Sequence, residues 1–199
     1  MDEAALIRAA QKGDLDAFNR LVLAYQDLLF NQAFRMMGEN APAEDVTQEA
    51  FISAYRNIKS YRGGSFRAWL MRIVTNTCYD EIRRRKRHPT TSLEPLDDAG
   101  EEIESPRWLT SSGETPESSA ERAELDRAIQ HCLAGLPDEF RSVVVLVDMQ
   151  GMDYSEVAQV IGKPVGTVKS RLARARLRIR ECLRGFGELL PAIFRQGEG

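Results

Sequence analysis

Apolar positions recur every three or four residues along most of this chain, the period of helices buried on one side. Leu6, Ala9 and Ala10 open the pattern, and Gly13-Asp14 restarts it. Phe18, Leu21, Val22, Tyr25, Leu28, Leu29, Ala33 and Met36 then predict a long core helix that stops at Gly38-Glu39-Asn40. Pro42, followed by Glu44 and Asp45, marks the start of the next helix, where a fixed φ and negative charge suit the positive end of the dipole. Its inward stripe is Val46, Ala50, Ala54 and Ile58, joined by Phe51 and Tyr55, with Asp45, Gln48, Glu49 and Arg56 off that stripe. Ser65 caps a further helix with a buried face of Phe66, Trp69, Leu70, Ile73, Val74, Thr77 and Cys78. That helix runs out into Arg83-Arg84-Arg85-Lys86-Arg87.

The periodicity lapses over residues 88–124, which hold Pro89, Pro95, Pro106 and Pro116 and bury too little apolar surface for a fold of their own. It resumes with Leu125, Ala128, Ile129, Cys132, Leu133 and Leu136. Pro137, with Asp138 and Glu139 behind it, starts another helix. Val143-Val144-Val145-Leu146-Val147 opposes that reading, because β-branched runs favour strands. The start signal and the Gln150-Gly151 stop predict helix all the same. Asp153 and Glu156 then form a capping box ahead of a short helix showing Val157, Ala158 and Ile161, which Gly162 ends. Pro164 forces a restart near Val165, and Val168, Leu172, Ala175, Ile179 and Cys182 make the next stripe. The expected fold is therefore all-α: a helical domain over 1–87, an acidic linker over 88–124, a second helical domain over 125–185 and a tail over 186–199. The tail residues Phe186, Leu189, Leu190, Ile193 and Phe194 are expected to pack on the second domain.

Charge changes the picture more than composition does. The net charge of -3 over 199 residues conceals a segregation. Residues 163–184 hold eight Lys or Arg against one acid, whereas residues 88–121 hold nine acids against one Arg. The local field, not the total, is what attracts phosphate. Cys78, Cys132 and Cys182 lie far apart on apolar stripes and read as buried thiols. His131 beside Cys132 lacks a second ligand pair, so no metal and no cofactor are expected. The most apolar stretch, 21–37, is interrupted by Gln26, Asp27, Asn31, Gln32 and Arg35 and cannot span a bilayer; the N-terminus is unlike a signal peptide, and the expected location is cytoplasmic, with no membrane contact.

Two stretches carry candidate chemistry. The helix pair around Gly162 presents Thr167, Lys169, Ser170, Arg171, Arg174, Arg176, Arg178 and Arg180 off its buried stripe, which suits the DNA major groove; an ordinary solvated basic face is the alternative. The loop from Asn57 to Ser65 combines Tyr61, cations and paired glycines, which suits an unstacked base as well as it suits a plain connector. The polar face of Asp45, Gln48 and Glu49 reads, from periodicity alone, as a solvated face.

Two blocks give these stretches a common meaning. One runs Asp45-Val-Thr-Gln48-Glu49-Ala-Phe51-Ile-Ser-Ala-Tyr55-Arg56, then Tyr61-Arg62-Gly63, then Trp69-Leu-Met-Arg72-Ile-Val-Thr-Asn76. The other runs Leu136-Pro137 to Gly151, Tyr154-Ser-Glu-Val-Ala158, then Val165-Gly-Thr-Val-Lys169-Ser-Arg171-Leu-Ala-Arg174-Ala-Arg176. Together they resemble a bacterial RNA polymerase sigma factor of the extracytoplasmic-function group, over roughly 6–87 and 125–183. The resemblance implies that Asp45, Gln48, Glu49, Phe51 and Ile52 contact the clamp of core RNA polymerase. It places Lys59, Ser60, Tyr61, Arg62 and Gly63, with Arg72, Asn76, Asp80, Arg83 and Arg84, against the melted minus-ten promoter strand. Thr167, Lys169, Ser170, Arg171, Arg174 and Arg178 would read the duplex minus-thirty-five element. An anti-sigma protein is a further implied partner. A stand-alone helix-turn-helix regulator with an N-terminal dimerisation domain would explain the second block but not the first. An enzyme is disfavoured, since the chain has two histidines, no phosphate-binding Gly-x-x-x-x-Gly-Lys loop and no nucleophile with a nearby base.

Overall fold

The computed structural model describes residues 2–87 and 116–187. Helix α1 (Glu3–Gln11) is capped by Asp2, and α2 (Leu15–Met37) by Asp14, whose carboxylate accepts from the Ala17 amide at 3.0 Å. Gly38, with φ of 86°, ends α2 in the left-handed conformation that only glycine adopts without strain. Helix α3 (Asn40–Asn57) follows, then a single 3₁₀ turn (Ile58–Ser60) and α4 (Phe66–Arg87), where the Ser65 hydroxyl accepts from the Ala68 amide at 3.1 Å. The second unit comprises α5 (Pro116–Ala134), α6 (Asp138–Val144), α7 (Tyr154–Ile161) and α8 (Val165–Arg184). No strand occurs among the described residues, and the all-α expectation holds. Helix α5 begins at Pro116, ahead of the expected Leu125, because a proline is a first-turn signal that the acid-rich composition obscured. The tail residues from Leu189 on lie outside the described residues, as do 88–115 of the linker.

The valine run is helical. Val143, Val144, Val145 and Leu146 are at most 4% exposed, so the burial of four apolar side chains overrides their strand propensity. The crowding shows in one wide turn, Val145–Met149, closed by the Gln150 amide on the Val145 carbonyl at 2.9 Å.

Three expectations need correcting. Cys132 and Cys182 are not free thiols: they form a disulfide across 50 residues, because the packing of α8 on α5 brings residues from opposite ends of the unit together. A link closing a loop of that length contributes roughly 3–5 kcal/mol in the chain-entropy account. Cys78 does remain free and buried, and burial pushes its thiol up to about 12. Tyr55 is 36% exposed and Phe51 half-buried, not core, because the small residues Ala43, Ala50 and Ala54 already bring α3 against its neighbours. In α7 the buried residues are Val157 and Val160, with Ala158 and Ile161 packed at the margin.

The two units share one continuous apolar core, with α2 packed on α5 and α4 on α7. Arg141 stands at the seam. Its guanidinium donates to the carbonyls of Leu133, Ala134 and Leu136 at 2.9, 2.9 and 3.2 Å, and to that of Met36 at 2.5 Å. These are carbonyls at and just beyond the ends of α5 and α2, which have no partner within their own helices. Burial pulls the Arg141 pKa down from its ordinary value, yet the group has no neutral alternative at physiological pH and is held by its acceptors. Replacing Arg141 by Ala should cost about 1–3 kcal/mol in urea denaturation, the penalty for orphaned buried acceptors. Lys should not restore the loss, since one ammonium cannot match the planar fork; full rescue by Lys would contradict this account of the seam.

Candidate nucleic-acid interface

In the second unit, the Asp153 carboxylate accepts from the amides of Ser155 and Glu156 at 2.7 and 2.9 Å. Glu156 returns the bond from the Asp153 amide at 3.2 Å, so the expected capping box is complete. Gly162 turns the chain at φ of 63°, and α8 restarts directly after Pro164. Val168, Leu172 and Ala175 are buried, which commits the basic residues to the remaining faces of α8.

Those basic residues are not equally available. The Arg171 guanidinium pairs with Glu139 of α6 at 2.6 Å and its side chain is only 18% exposed. Arg176 makes a two-point pair with Asp148, one bond at 2.9 Å, and Arg178 lies over the Phe140 ring at 5.4 Å. Lys169 sits over the Tyr154 ring at 5.7 Å, and the Ser170 hydroxyl donates to the Thr167 carbonyl at 3.0 Å. Thr167 is half-buried. Arg174 alone of the expected base-reading cations is exposed with no ion pair or ring contact among the described residues. Glu139 stands out in the sequence only as a first-turn acid and Asp148 not at all: as acids outside α8, they carry no local signal for pairing with it.

In the first unit, Tyr61 packs against Phe66 and Trp69 at 5.3 and 5.5 Å between ring centres, and its hydroxyl donates to the Gly64 carbonyl at 2.7 Å. Gly63 and Gly64 have φ of 101° and 92°, so a side chain at either position would strain the loop. The Gln11 amide pins the loop from behind, donating to the carbonyls of Ile58 and Tyr61 at 3.1 and 2.9 Å. That contact, 50 residues away in sequence, has no local signature. Lys59, Ser60 and Arg62 are exposed at the rim. Arg72, Asn76, Asp80 and Arg83 follow at helical spacing on the exposed face of α4. Arg72 and Asn76 have no partner among the described residues, whereas Arg83 pairs with Asp80 at 2.7 Å. The five-cation run is largely paired within the molecule. Arg84 and Arg85 share Glu81, at 2.7 and 2.9 Å, and Lys86 reaches Asp138 of the second unit at 2.6 Å.

A groove of about 790 Å³ runs between α2 and α3. Gln48, Phe51 and Ile52 line it together with Phe18, Val22 and Phe30, and Ile52 is 44% exposed. Asp45 and Glu49 are exposed on the same helix but outside the groove, close enough to Arg84 to raise its pKa alongside the larger effect of Glu81. The structure thus divides the expected polymerase-contacting set into an apolar floor and an acidic flank. No cluster of three or more His, Cys, Asp or Glu that could hold a metal occurs among the described residues, and no helix there is long and apolar enough to cross a membrane.

Comparison with known proteins joins these surfaces. The family model for Sigma-70 region 2 matches residues 21–88, and that for Sigma-70, region 4 matches residues 126–179. The chain is 37% identical to the ECF RNA polymerase sigma factor SigW of Bacillus subtilis over 179 residues, covering 89% of this chain and 95% of SigW. This chain belongs to the extracytoplasmic-function sigma factors. It is also 36% identical to the ECF sigma-E factor of Escherichia coli K12, covering 88% of this chain and 91% of that protein. Among solved structures, CnrH in complex with the cytosolic domain of CnrY superposes with a TM-score of 0.63 at 27% identity, covering 91% of this chain and 96% of CnrH. The sigma factor RpoE of Bartonella quintana, solved with the anti-sigma factor NepR, shares the fold with a TM-score of 0.64 at 24% identity, covering 84% of this chain and 96% of that one. In sigma-factor terms the aromatic loop and α4 belong to region 2, and α7 and α8 to region 4.

The hydrogen bond from Arg84, aided by Arg85, holds the Glu81 carboxyl below the usual carboxylate range. A depressed folded-state pKa stabilises the protein above the unfolded value of about 4.3, and that stabilisation is lost as pH falls through the folded value. Thermal melts between pH 5 and 3 should therefore fall more steeply for the wild type than for Glu81→Gln. Parallel slopes would show that the Glu81 fork is not formed in solution.

Proposed function

We propose that this sigma factor works through three separate surfaces. The groove between α2 and α3, with Gln48, Phe51 and Ile52 on its floor and Asp45 and Glu49 on its flank, docks the clamp of core RNA polymerase. The loop carrying Lys59, Ser60, Tyr61, Arg62 and Gly63, continued along α4 by Arg72, Asn76, Asp80, Arg83 and Arg84, holds the melted minus-ten strand. Helix α8, through Thr167, Lys169, Ser170, Arg171, Arg174 and Arg178, reads the minus-thirty-five duplex. The observation that carries the reading is the pair of exposed groups without partners among the described residues, Arg72 and Asn76, one and two turns along the same helix from the Tyr61–Phe66–Trp69 cluster beside two left-handed glycines. Aromatic faces and free polar groups suit a single strand whose bases are unstacked, whereas a duplex offers its base edges only in a groove.

The functional boundaries follow the same division: region 2 over 1–87, a connector over 88–124, region 4 over 125–185 and a tail beyond it. The factor performs no bond chemistry of its own, since opening DNA on the polymerase uses binding energy. It works in the cytoplasm, where the polymerase is. An anti-sigma protein is its regulatory partner in this reading, supported by the NepR complex of a protein with the same fold.

Residue roles separate in transcription from a promoter library with core polymerase. Arg174→Ala should lose about 1–3 kcal/mol of discrimination, roughly five- to 150-fold, at one upstream position. Arg178→Ala should weaken all promoters alike, as loss of a phosphate contact does. Asn76→Ala should leave closed complexes intact and reduce permanganate reactivity of downstream thymines. Uniform effects of all three variants on every promoter and both steps would overturn the division of labour.

A further inference from the structure

The Cys132–Cys182 disulfide plays no part in the promoter-reading scheme, yet its position couples it to the shape of the whole chain. Cys182 lies in the last turn of α8 and Cys132 near the end of α5. Helix α5 also docks on region 2: Asp126 pairs with Arg35 at 2.5 Å, and Gln130 exchanges hydrogen bonds with Arg35 at 3.4 Å. Region 4 thus touches region 2 on two helices: α5, α6 and the Val145–Met149 turn lie on α2, and α7 lies on α4, where Tyr79 and Lys86 also reach α6. The disulfide closes the loop that holds α6, α7 and α8 onto α5, so both contacts belong to one rigid body.

That closed arrangement is incompatible with spanning a promoter. Arg171 of the reading helix and Tyr79, Arg83 and Lys86 of the strand-holding helix line a single cleft of about 510 Å³. The minus-ten and minus-thirty-five elements lie about 25 base pairs apart, and at about 3.4 Å per pair that is roughly 85 Å. Region 4 must leave region 2 before both elements can be engaged. Two contacts on one rigid body reinforce each other, because each holds the other at high effective concentration. If α5 can part from α8, each contact must hold alone.

We propose that Cys132 and Cys182 form a redox clamp on promoter engagement: the disulfide favours the closed chain, and its reduction favours separation of region 4 from region 2. The inference rests on the sigma-factor reading, which places the chain in a reducing compartment, where disulfides that do form are usually transient or redox-sensing. Cys182 is half-buried and Cys132 only 3% exposed, so the Cys182 sulfur is the accessible one. A thiolate of a dithiol reductant attacks Sγ of Cys182, the Sγ–Sγ bond breaks, and Cys132 leaves as a thiolate that takes up a proton. The second thiolate of the reductant then attacks its own sulfur in the mixed disulfide. That releases Cys182, which takes up the second proton, and leaves the reductant as a disulfide. Two electrons and two protons pass to the protein, and exchange with a disulfide oxidant runs the steps backwards. Cys78, fully buried in region 2 with its thiol pushed up by burial, stays outside the exchange.

The test equilibrates the full chain in buffers of reduced and oxidised dithiothreitol of stepped poise, counts alkylated thiols by mass, and records small-angle X-ray scattering at each step. The clamp requires two thiols to appear together as the poise falls, with a larger radius of gyration in the reduced chain. Transcription with core polymerase should rise several-fold over the same step. Cys132→Ser with Cys182→Ser should match the reduced wild type at every poise; if that variant does not fold, the wild-type titration alone decides. Two thiols that stay alkylatable under oxidising poise, coincident scattering curves, or lower transcription on reduction would each overturn the clamp. Scattering and thiol counts use neither polymerase nor promoter. Transcription absent at every poise would therefore sink the sigma-factor reading without touching the structural half of the clamp.

Discussion

Helix ends leave carbonyls without partners, and the way this chain satisfies them sets the relation between its two halves. Arg141 reaches the last carbonyls of α5 and, across the seam, that of Met36 near the end of α2. A single cation there also meets the negative ends of two helix dipoles. Around it the apolar surfaces of α4 and α7 close, and the hydroxyls of Tyr79 on α4 and Ser142 on α6 pair at 2.6 Å. With the seam in place, region 4 is oriented, and with it the reading helix.

Ion pairing, within the second unit and in one case across the seam, sets the charge pattern of the candidate interface. Cations that suit phosphate are held by acids of this chain while no DNA is present: Arg171 by Glu139, Arg176 by Asp148, Lys86 by Asp138. Arg176 and Lys86 sit in exposed pairs of the kind worth at most about 1 kcal/mol, so a phosphate can displace Asp148 or Asp138 at little cost, whereas the Arg171 side chain is only 18% exposed. Arg72, Asn76 and Arg174, proposed above to meet a base, have no partner among the described residues.

Much of this was legible in the sequence. The capping box at Asp153, the left-handed Gly162 and the Val168-Leu172-Ala175 stripe are local signals, and each appears where its spacing places it. The motif blocks sufficed for the family. What the sequence left open is long-range. Cys132 and Cys182 are 50 positions apart and meet only because α8 folds back on α5. Gln11 holds a loop 50 residues away, and Glu139 holds Arg171 from another helix. Tyr55 kept the period of a core residue but faces outward, since periodicity gives the direction of a side chain and not whether another element covers it. The valine run went the other way: burial decided it against propensity.

Specificity in this account is shared between the factor and the polymerase. The closed chain cannot place its two proposed DNA-facing surfaces a promoter's length apart; in the proposed scheme core polymerase holds region 2 by the α2–α3 groove and leaves region 4 free to reach upstream. The most direct measurement is sequence selection from a random DNA pool, run with the factor alone and with the factor plus core polymerase. The account predicts a two-part motif of fixed spacing with the polymerase and no enriched sequence without it. A single palindromic or one-part motif enriched by the factor alone, unchanged by the polymerase, would contradict it and favour a stand-alone regulator.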